Sequence, residues 1–182
     1  MINYVSQMGQ DKWVADTLHQ KKGGVFIDIG AGHPVSINNT YALEKEYEWT
    51  GLSFDLGPPH AHGVSADFSV QEYIDLWDSM RSTSLICGDA LEMNFEDIFA
   101  EHGLPEQMDY LSIDLEPPMV TYEALLRLPL SKYKFNTITF ETDVYREART
   151  QGPSQNLLKK LGYTLRRSDR QEDWYVHSSL VL

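Results

Sequence analysis

The segment Val25-Phe26-Ile27-Asp28-Ile29-Gly30-Ala31-Gly32-His33 constrains the fold more than any other part of the chain. Val25, Phe26, Ile27 and Ile29 have the β-branched and aromatic character of a strand buried on both faces, as parallel sheets require. The strand delivers one carboxylate, Asp28, and stops where Gly30 and Gly32 permit a sharp turn and close backbone approach. Open α/β sheets bind their ligands at this carboxyl end of the strands. A dinucleotide fingerprint needs a third glycine in G-x-G-x-x-G, and here Val35 stands in that place after Pro34. Asp28 would also repel a pyrophosphate. It suits a cofactor that brings positive charge, such as the ammonium and sulfonium of S-adenosylmethionine. Taken alone, the motif fits an ordinary strand-turn-helix with glycines for geometry equally well.

Strand-like and helix-like segments alternate along the 182 residues, with no repeat, low-complexity tract or linker. That alternation predicts a parallel sheet covered on both faces. Strands are expected at 25–30, 51–55, 84–88, 109–114, 135–141, 163–168 and 174–179, and a helix over 10–20. Ser69-Val70-Gln71-Glu72 reads as a capping box ahead of Tyr73, Ile74, Trp77 and Met80. Asn94 caps a helix containing Phe95, Ile98 and Phe99, which Gly103 closes. A further helix runs from Tyr122 to Leu128, and Leu157, Leu158 and Leu161 form a stripe closed by Gly162. The helix aromatics read as core residues. The last two strands lie too close in sequence for parallel neighbours, because a parallel crossover takes a dozen residues or more. The expected fold is therefore an α/β, Rossmann-like sheet of seven strands, mostly parallel, with an antiparallel C-terminal hairpin strand. That is the arrangement of class I methyltransferases. Length predicts one domain over 1–182, with 1–22 as an N-terminal helical segment packed on the core.

Carboxylates recur at the expected strand ends: Asp28, then Asp55, Asp89 before Ala90, Asp114 with Glu116, and Glu141 with Asp143. In a parallel sheet these ends open on one side, so the acids converge on one crevice. An acid at the second strand can accept both ribose hydroxyls of an adenosine. Asp89 can accept the adenine amino group while the Ala90 amide donates to a ring nitrogen. Each aspartate alone is explained by turn formation or helix capping; their recurrence favours a ligand site.

The chain carries 27 acids against 15 bases, a net charge of −12. No basic footprint exists for a nucleic-acid backbone, and an anionic membrane would repel the protein. The single cysteine, Cys87, excludes an intrachain disulfide and a cysteine-based zinc cluster, and its apolar flanks predict a buried thiol. No apolar run resembles a signal peptide or spans a bilayer, so a soluble cytoplasmic protein is expected.

Ser6-Gln7-Met8-Gly9-Gln10-Asp11, Phe26 to His33, Asn39-Thr40-Tyr41-Ala42-Leu43-Glu44, Trp49-Thr50-Gly51-Leu52, Asp109 to Glu116 and Asp173-Trp174-Tyr175-Val176 follow one another in the chain. In that order, and over most of its length, the sequence resembles FkbM-type methyltransferases. The resemblance implies a class I fold that binds S-adenosylmethionine and methylates a hydroxyl oxygen on a small-molecule or saccharide acceptor. Carried over by position, Asp28, Gly30 and Gly32 would hold the methionine part and Asp55 the ribose. Asp89 and Ala90 would flank the adenine, and Asp114 with Glu116 would face the transferring methyl. The sequence departs from the family at Asp55, where glutamate is common, and at Pro117-Pro118, where glycine commonly follows the acid.

A hydroxyl acceptor must lose its proton to a general base or to a metal-bound site. Asp114, Glu116 and Glu141 are the catalytic candidates, with Asp143 beside them. Their crowding would raise one carboxyl pKa or recruit a hard cation such as Mg²⁺. Alternatively Arg146 and Arg149 neutralise them in a structural ion-pair network. His33, His60 and His62 are alternative bases, although loop histidines are more often solvated surface residues. Two other readings stand beside the transferase. One is an inactive methyltransferase-like binding module, motivated by Pro117-Pro118 and the histidine loop. The other is a metal-dependent hydrolase built on the carboxylates. No motif specifies the acceptor, and none demands an oligomer.

Overall fold

The computed structural model describes residues 2–180. The chain divides into two compact units, Met1–Ala90 and Leu91–Leu182. Six helices and seven strands occur among the described residues, and the strands form one sheet in the order β3-β2-β1-β4-β5-β7-β6.

In the first unit, helix α1 (Gln10–Thr17) precedes β1 (Val25–Ile29), whose Phe26, Ile27, Asp28 and Ile29 are buried. Helix α2 (Tyr41–Tyr47), β2 (Thr50–Asp55), α3 (Val70–Met80) and β3 (Ser84–Cys87) follow. β1 pairs with β2 and β2 with β3, both in parallel, with Asp28 opposite Ser53 and Asp55 opposite Cys87. Gly51 is required by this pairing, since a Cβ there would lie 2.1 Å from the Phe26 carbonyl oxygen. The α1 residues Val14 and Ala15 are buried, so the N-terminal helix is part of this unit's core. The capping box of α3 forms as expected: the Glu72 amide donates to Ser69 Oγ, and the Ser69 amide donates to the Glu72 carboxylate.

In the second unit, α4 (Phe95–Glu101), β4 (Gln107–Ile113), α5 (Pro118–Arg127), β5 (Lys134–Glu141), α6 (Gln151–Lys160), β6 (Tyr163–Ser168) and β7 (Glu172–His177) succeed one another. β4 and β5 are parallel, whereas β7 runs antiparallel to both β5 and β6. The terminal hairpin therefore has the predicted sense. Asn94 accepts from the Asp97 amide at the start of α4, and Gly103 follows the helix at a positive φ of 62°. Such a left-handed residue ends a helix without a Cβ penalty.

Three helices differ from expectation. α1 stops at Thr17 and not at Gln20, because His19 and Gln20 take left-handed φ values of 52° and 56°. α2 is absent from the sequence reading, because its seven residues are too few for a period and Thr40 makes no side-chain cap. α5 begins at Pro118, four residues earlier than expected. A proline at the first helical position lacks only an amide that would be unpaired anyway, and its fixed φ suits the helix. Cys87 is half-buried and not a core thiol; burial, then Asp55, pushes its pKa up.

Candidate functional site

The glycine turn is closed on itself. The Gly30 and Ala31 amides both donate to the Phe54 carbonyl, at 2.8 and 3.1 Å, and the Gly32 amide donates to Asp55 Oδ2 at 2.9 Å. The Tyr73 hydroxyl donates to the Gly32 carbonyl at 2.5 Å, so both faces of that residue are fixed. Further on, the Val35 and Ser36 amides both donate to His33 Nδ1 at 3.0 Å. Phosphate loops work by offering such amides to the anion. Here they are spent within the protein, which removes the pyrophosphate reading on geometric grounds. Gly30 and Gly32 have φ values of 89° and 60°, a region a side chain would resist.

Asp28 lies next to the end of β1, 1% exposed, and accepts from the Thr40 hydroxyl at 3.0 Å. Asp55 sits at the end of β2, with Oδ1 accepting from the Gly57 amide at 2.8 Å and Oδ2 from Gly32. Each oxygen retains one lone pair, so the ribose role assigned from resemblance is sterically shared with a structural one. Burial pushes the Asp55 pKa up, against the two amides and His60, which pull it down. Asp89 is exposed after β3 and Ala90 is buried.

His33 bears on the alternative bases. Burial lowers its pKa, and its Nδ1 already accepts two amides, so the neutral ring carries its proton on Nε2. It is a donor in this state, not a base. His60 and His62 are exposed, although their loop is anchored by Ala61, which packs with Ala31, Tyr73 and Trp77.

In the second unit Asp114 follows β4 directly and Glu141 ends β5. The Glu141 pKa is pushed well up, by burial first and then by the charge of Asp114, a hydrogen bond with Asp114, and the charges of Asp143 and Glu116. Glu141 Oε2 is buried and meets no donor. Burial and the neighbouring acids both favour the protonated form of Glu141. Thr121 fixes the loop between Asp114 and Glu116, since its hydroxyl bonds the Leu115 carbonyl at 2.5 Å and accepts the Leu115 amide at 3.1 Å.

Glu116, Glu141 and Asp143 each bring one oxygen to within 4.8 Å of the others. Arg146 already bonds Glu116 and reaches Asp143 at 3.2 Å, while Tyr145 donates to Asp143 at 2.9 Å. The protein thus supplies its own cation to this cluster, and Mg²⁺ would have to displace a guanidinium. As arranged, the cluster is bridged by Arg146 and gives no support to Mg²⁺. Arg149 pairs with Glu147 and takes no part.

Sequence reasoning missed three participants, Tyr73, Glu44 and Arg81. Arg81 is 5% exposed and donates to Glu44, to the Pro34 carbonyl and Asn38 Oδ1 at 3.0 Å each, and to Thr40 Oγ1 at 3.1 Å. Burial pushes the Glu44 pKa up, and Arg81, the Ser82 amide and Lys45 override it, leaving the group at about 2. A buried charged pair 37 residues apart in sequence has no spacing signature.

The strand order and the reversed β7 define a Rossmann-like methyltransferase fold, and solved structures share it. A TDP-rhamnose 3′-O-methyltransferase of calicheamicin biosynthesis superposes with a TM-score of 0.61 at 16% identity, over 95% of this chain and 81% of that one. The precorrin-6y C5,15-methyltransferase of Geobacter metallireducens GS-15 gives 0.60 at 14% identity, over 92% and 87%. TrmK of M. capricolum, solved with S-adenosyl-homocysteine, gives 0.50 at 11% identity, over 90% of this chain and 66% of that one. No protein-family model and no curated protein matches the sequence. At identities this low the structural likeness shows the fold alone.

Proposed function

We propose that this chain is an S-adenosylmethionine-dependent methyltransferase of FkbM type that methylates a hydroxyl of a small-molecule or saccharide acceptor in the cytoplasm. The observation that carries the reading is the glycine turn: a buried carboxylate, Asp28, stands beside a loop whose amides are unavailable to phosphate. Such a site selects a nucleoside cofactor with a cationic end over a dinucleotide. S-adenosyl-homocysteine in the TrmK structure and the sugar named for the rhamnose enzyme support the cofactor and acceptor classes.

In this reading Asp28 receives the cofactor ammonium, and Gly30 and Gly32 let the backbone approach the methionine part. Asp55 accepts from the ribose with its remaining lone pairs, and Asp89 and Ala90 flank the adenine. The cofactor supplies an electrophilic methyl on a sulfonium. Asp114, Glu116 and Glu141 serve the acceptor, and an ionised carboxylate of this group, not the protonated Glu141, receives the hydroxyl proton. Positioning supplies much of the remaining acceleration. Both units act together as one methyltransferase-like domain.

The Arg146 bonds to Glu116 and Asp143 favour a second reading, in which the acceptor side is closed and the fold is kept as a binding module. Calorimetry with S-adenosyl-homocysteine, followed by product analysis over a panel of hydroxylated acceptors, separates the two. Micromolar binding with turnover supports the enzyme, and binding without turnover supports the module. Folded protein that does not bind removes the enzyme, and turnover of any acceptor removes the module. Asp28→Ala should weaken binding at least tenfold, the worth of one charge-assisted contact.

A further inference from the structure

We infer that Thr40, held by Arg81, is a positioning residue that fixes the carboxylate of Asp28 for the ammonium end of the cofactor; this rests on the cofactor reading above. Thr40 is fully buried. Its Oγ1 lies 3.0 Å from Asp28 Oδ2 and 3.0 Å from Asn38 Oδ1, and it accepts from Arg81 at 3.1 Å. A hydroxyl has one proton, and the competition between its two acceptors is decided by their other donors. Asn38 Oδ1 already accepts from the Thr40 amide at 2.9 Å, the Tyr41 amide at 2.8 Å and Arg81 at 3.0 Å. Its lone pairs are fully used. The Thr40 proton therefore goes to Asp28, which as a carboxylate is also the stronger acceptor.

Arg81 makes that assignment rigid. Its guanidinium occupies one lone pair of Thr40 Oγ1, which leaves the hydroxyl proton directed at Asp28. The guanidinium is held by Glu44 and by the Pro34 carbonyl, with its carbon 4.7 Å from the centre of the Trp77 ring. One Asp28 oxygen thus has a fixed donor, so the carboxylate does not rotate freely before the ligand arrives. The motif Asn39-Thr40-Tyr41-Ala42-Leu43-Glu44 supplies two links of this chain, Thr40 and Glu44.

The test uses two ligands that share the adenosine and thioether, S-adenosyl-homocysteine and 5′-deoxy-5′-methylthioadenosine, of which only the first carries an ammonium. Titration calorimetry of the full chain should show Thr40→Val weakening S-adenosyl-homocysteine about tenfold, with methylthioadenosine changed less than twofold. Thr40→Ser keeps the hydroxyl and should restore S-adenosyl-homocysteine to within about threefold of the parent. A merely structural role would weaken both ligands together, and that result overturns the inference, as does an unchanged affinity for both. Should Thr40→Val not fold, Thr40→Ala decides by the same pair of affinities. If the folded parent protein binds neither ligand, the cofactor reading itself fails and takes this inference with it. If the parent binds both but Thr40→Ser behaves like Thr40→Val, only the inference fails.

Discussion

Removing one member of the buried pair in the first unit should expose how much of its stability depends on charge neutralisation. Arg81→Met deletes a guanidinium whose side chain is 0% exposed and leaves Glu44, itself 3% exposed, without its principal counter-charge. Breaking a buried pair from one side costs about 3–5 kcal/mol, because the remaining charge stays desolvated. Glu44 keeps the Ser82 amide at 2.8 Å, the Thr83 hydroxyl at 2.7 Å and Lys45 at 2.9 Å, so the low end applies, about 3 kcal/mol. With a urea dependence of about 2 kcal/mol per molar, the unfolding midpoint should fall by about 1.5 M. Tryptophan fluorescence reports it directly. The double variant Arg81→Met/Glu44→Leu removes both charges and should lose only about 1 kcal/mol, the cost of the polar groups left behind. The pH adds an independent check. The folded pKa of Glu44 lies below its unfolded value, so the pair's contribution is present above the usual glutamate range and disappears as pH falls toward about 2. The Arg81→Met penalty should shrink over that interval. A midpoint shift below about 0.5 M at neutral pH, or a double variant as unstable as the sum of the singles, would refute the reasoning.

Gly51→Ala places a Cβ 2.1 Å from the Phe26 carbonyl oxygen and should cost several kcal/mol by forcing β1 and β2 apart, whereas Gly152→Ala meets nothing within 4 Å and serves as the control in urea unfolding. Gly32→Ala combines a φ of 60° with a Cβ 3.0 Å from the His62 carbonyl, and calorimetry should show S-adenosyl-homocysteine affinity reduced at least tenfold. For Glu141 the folded pKa lies above the unfolded one, so the folded protein binds the extra proton and stability declines as pH rises above the usual carboxylate range. The slope is at most about 1.4 kcal/mol per pH unit. Glu141→Gln should flatten that part of the stability-pH profile, and an unchanged profile would count against a protonated Glu141.

Features written in local chemistry were legible in the sequence. The buried strand ahead of Gly30, the capping box at Ser69, the Asn94 cap and the close spacing of β6 and β7 each follow from neighbours in the chain. Pro117-Pro118 was ambiguous, since prolines stiffen a loop and also begin a helix; Pro118 does the latter. Tyr73 sits at a core position of α3 and looks like an apolar filler, yet its hydroxyl bonds Gly32 across 41 residues. His33 shows the same limit, because the two amides that fix its tautomer depend on a backbone path no composition rule specifies. The acids at the strand ends could be located in sequence, but which of them favours its protonated form depends on burial and on the neighbouring acids brought to it by the fold.

The closed glycine turn changes where an entropic cost falls. Ordering a loop residue costs about 1–2 kcal/mol, and amides at Gly30, Ala31, Gly32, Val35 and Ser36 are already tied down by bonds inside the protein. That cost is met when the chain folds, not when a ligand arrives. Under the cofactor reading, association at this turn then requires no loop closure.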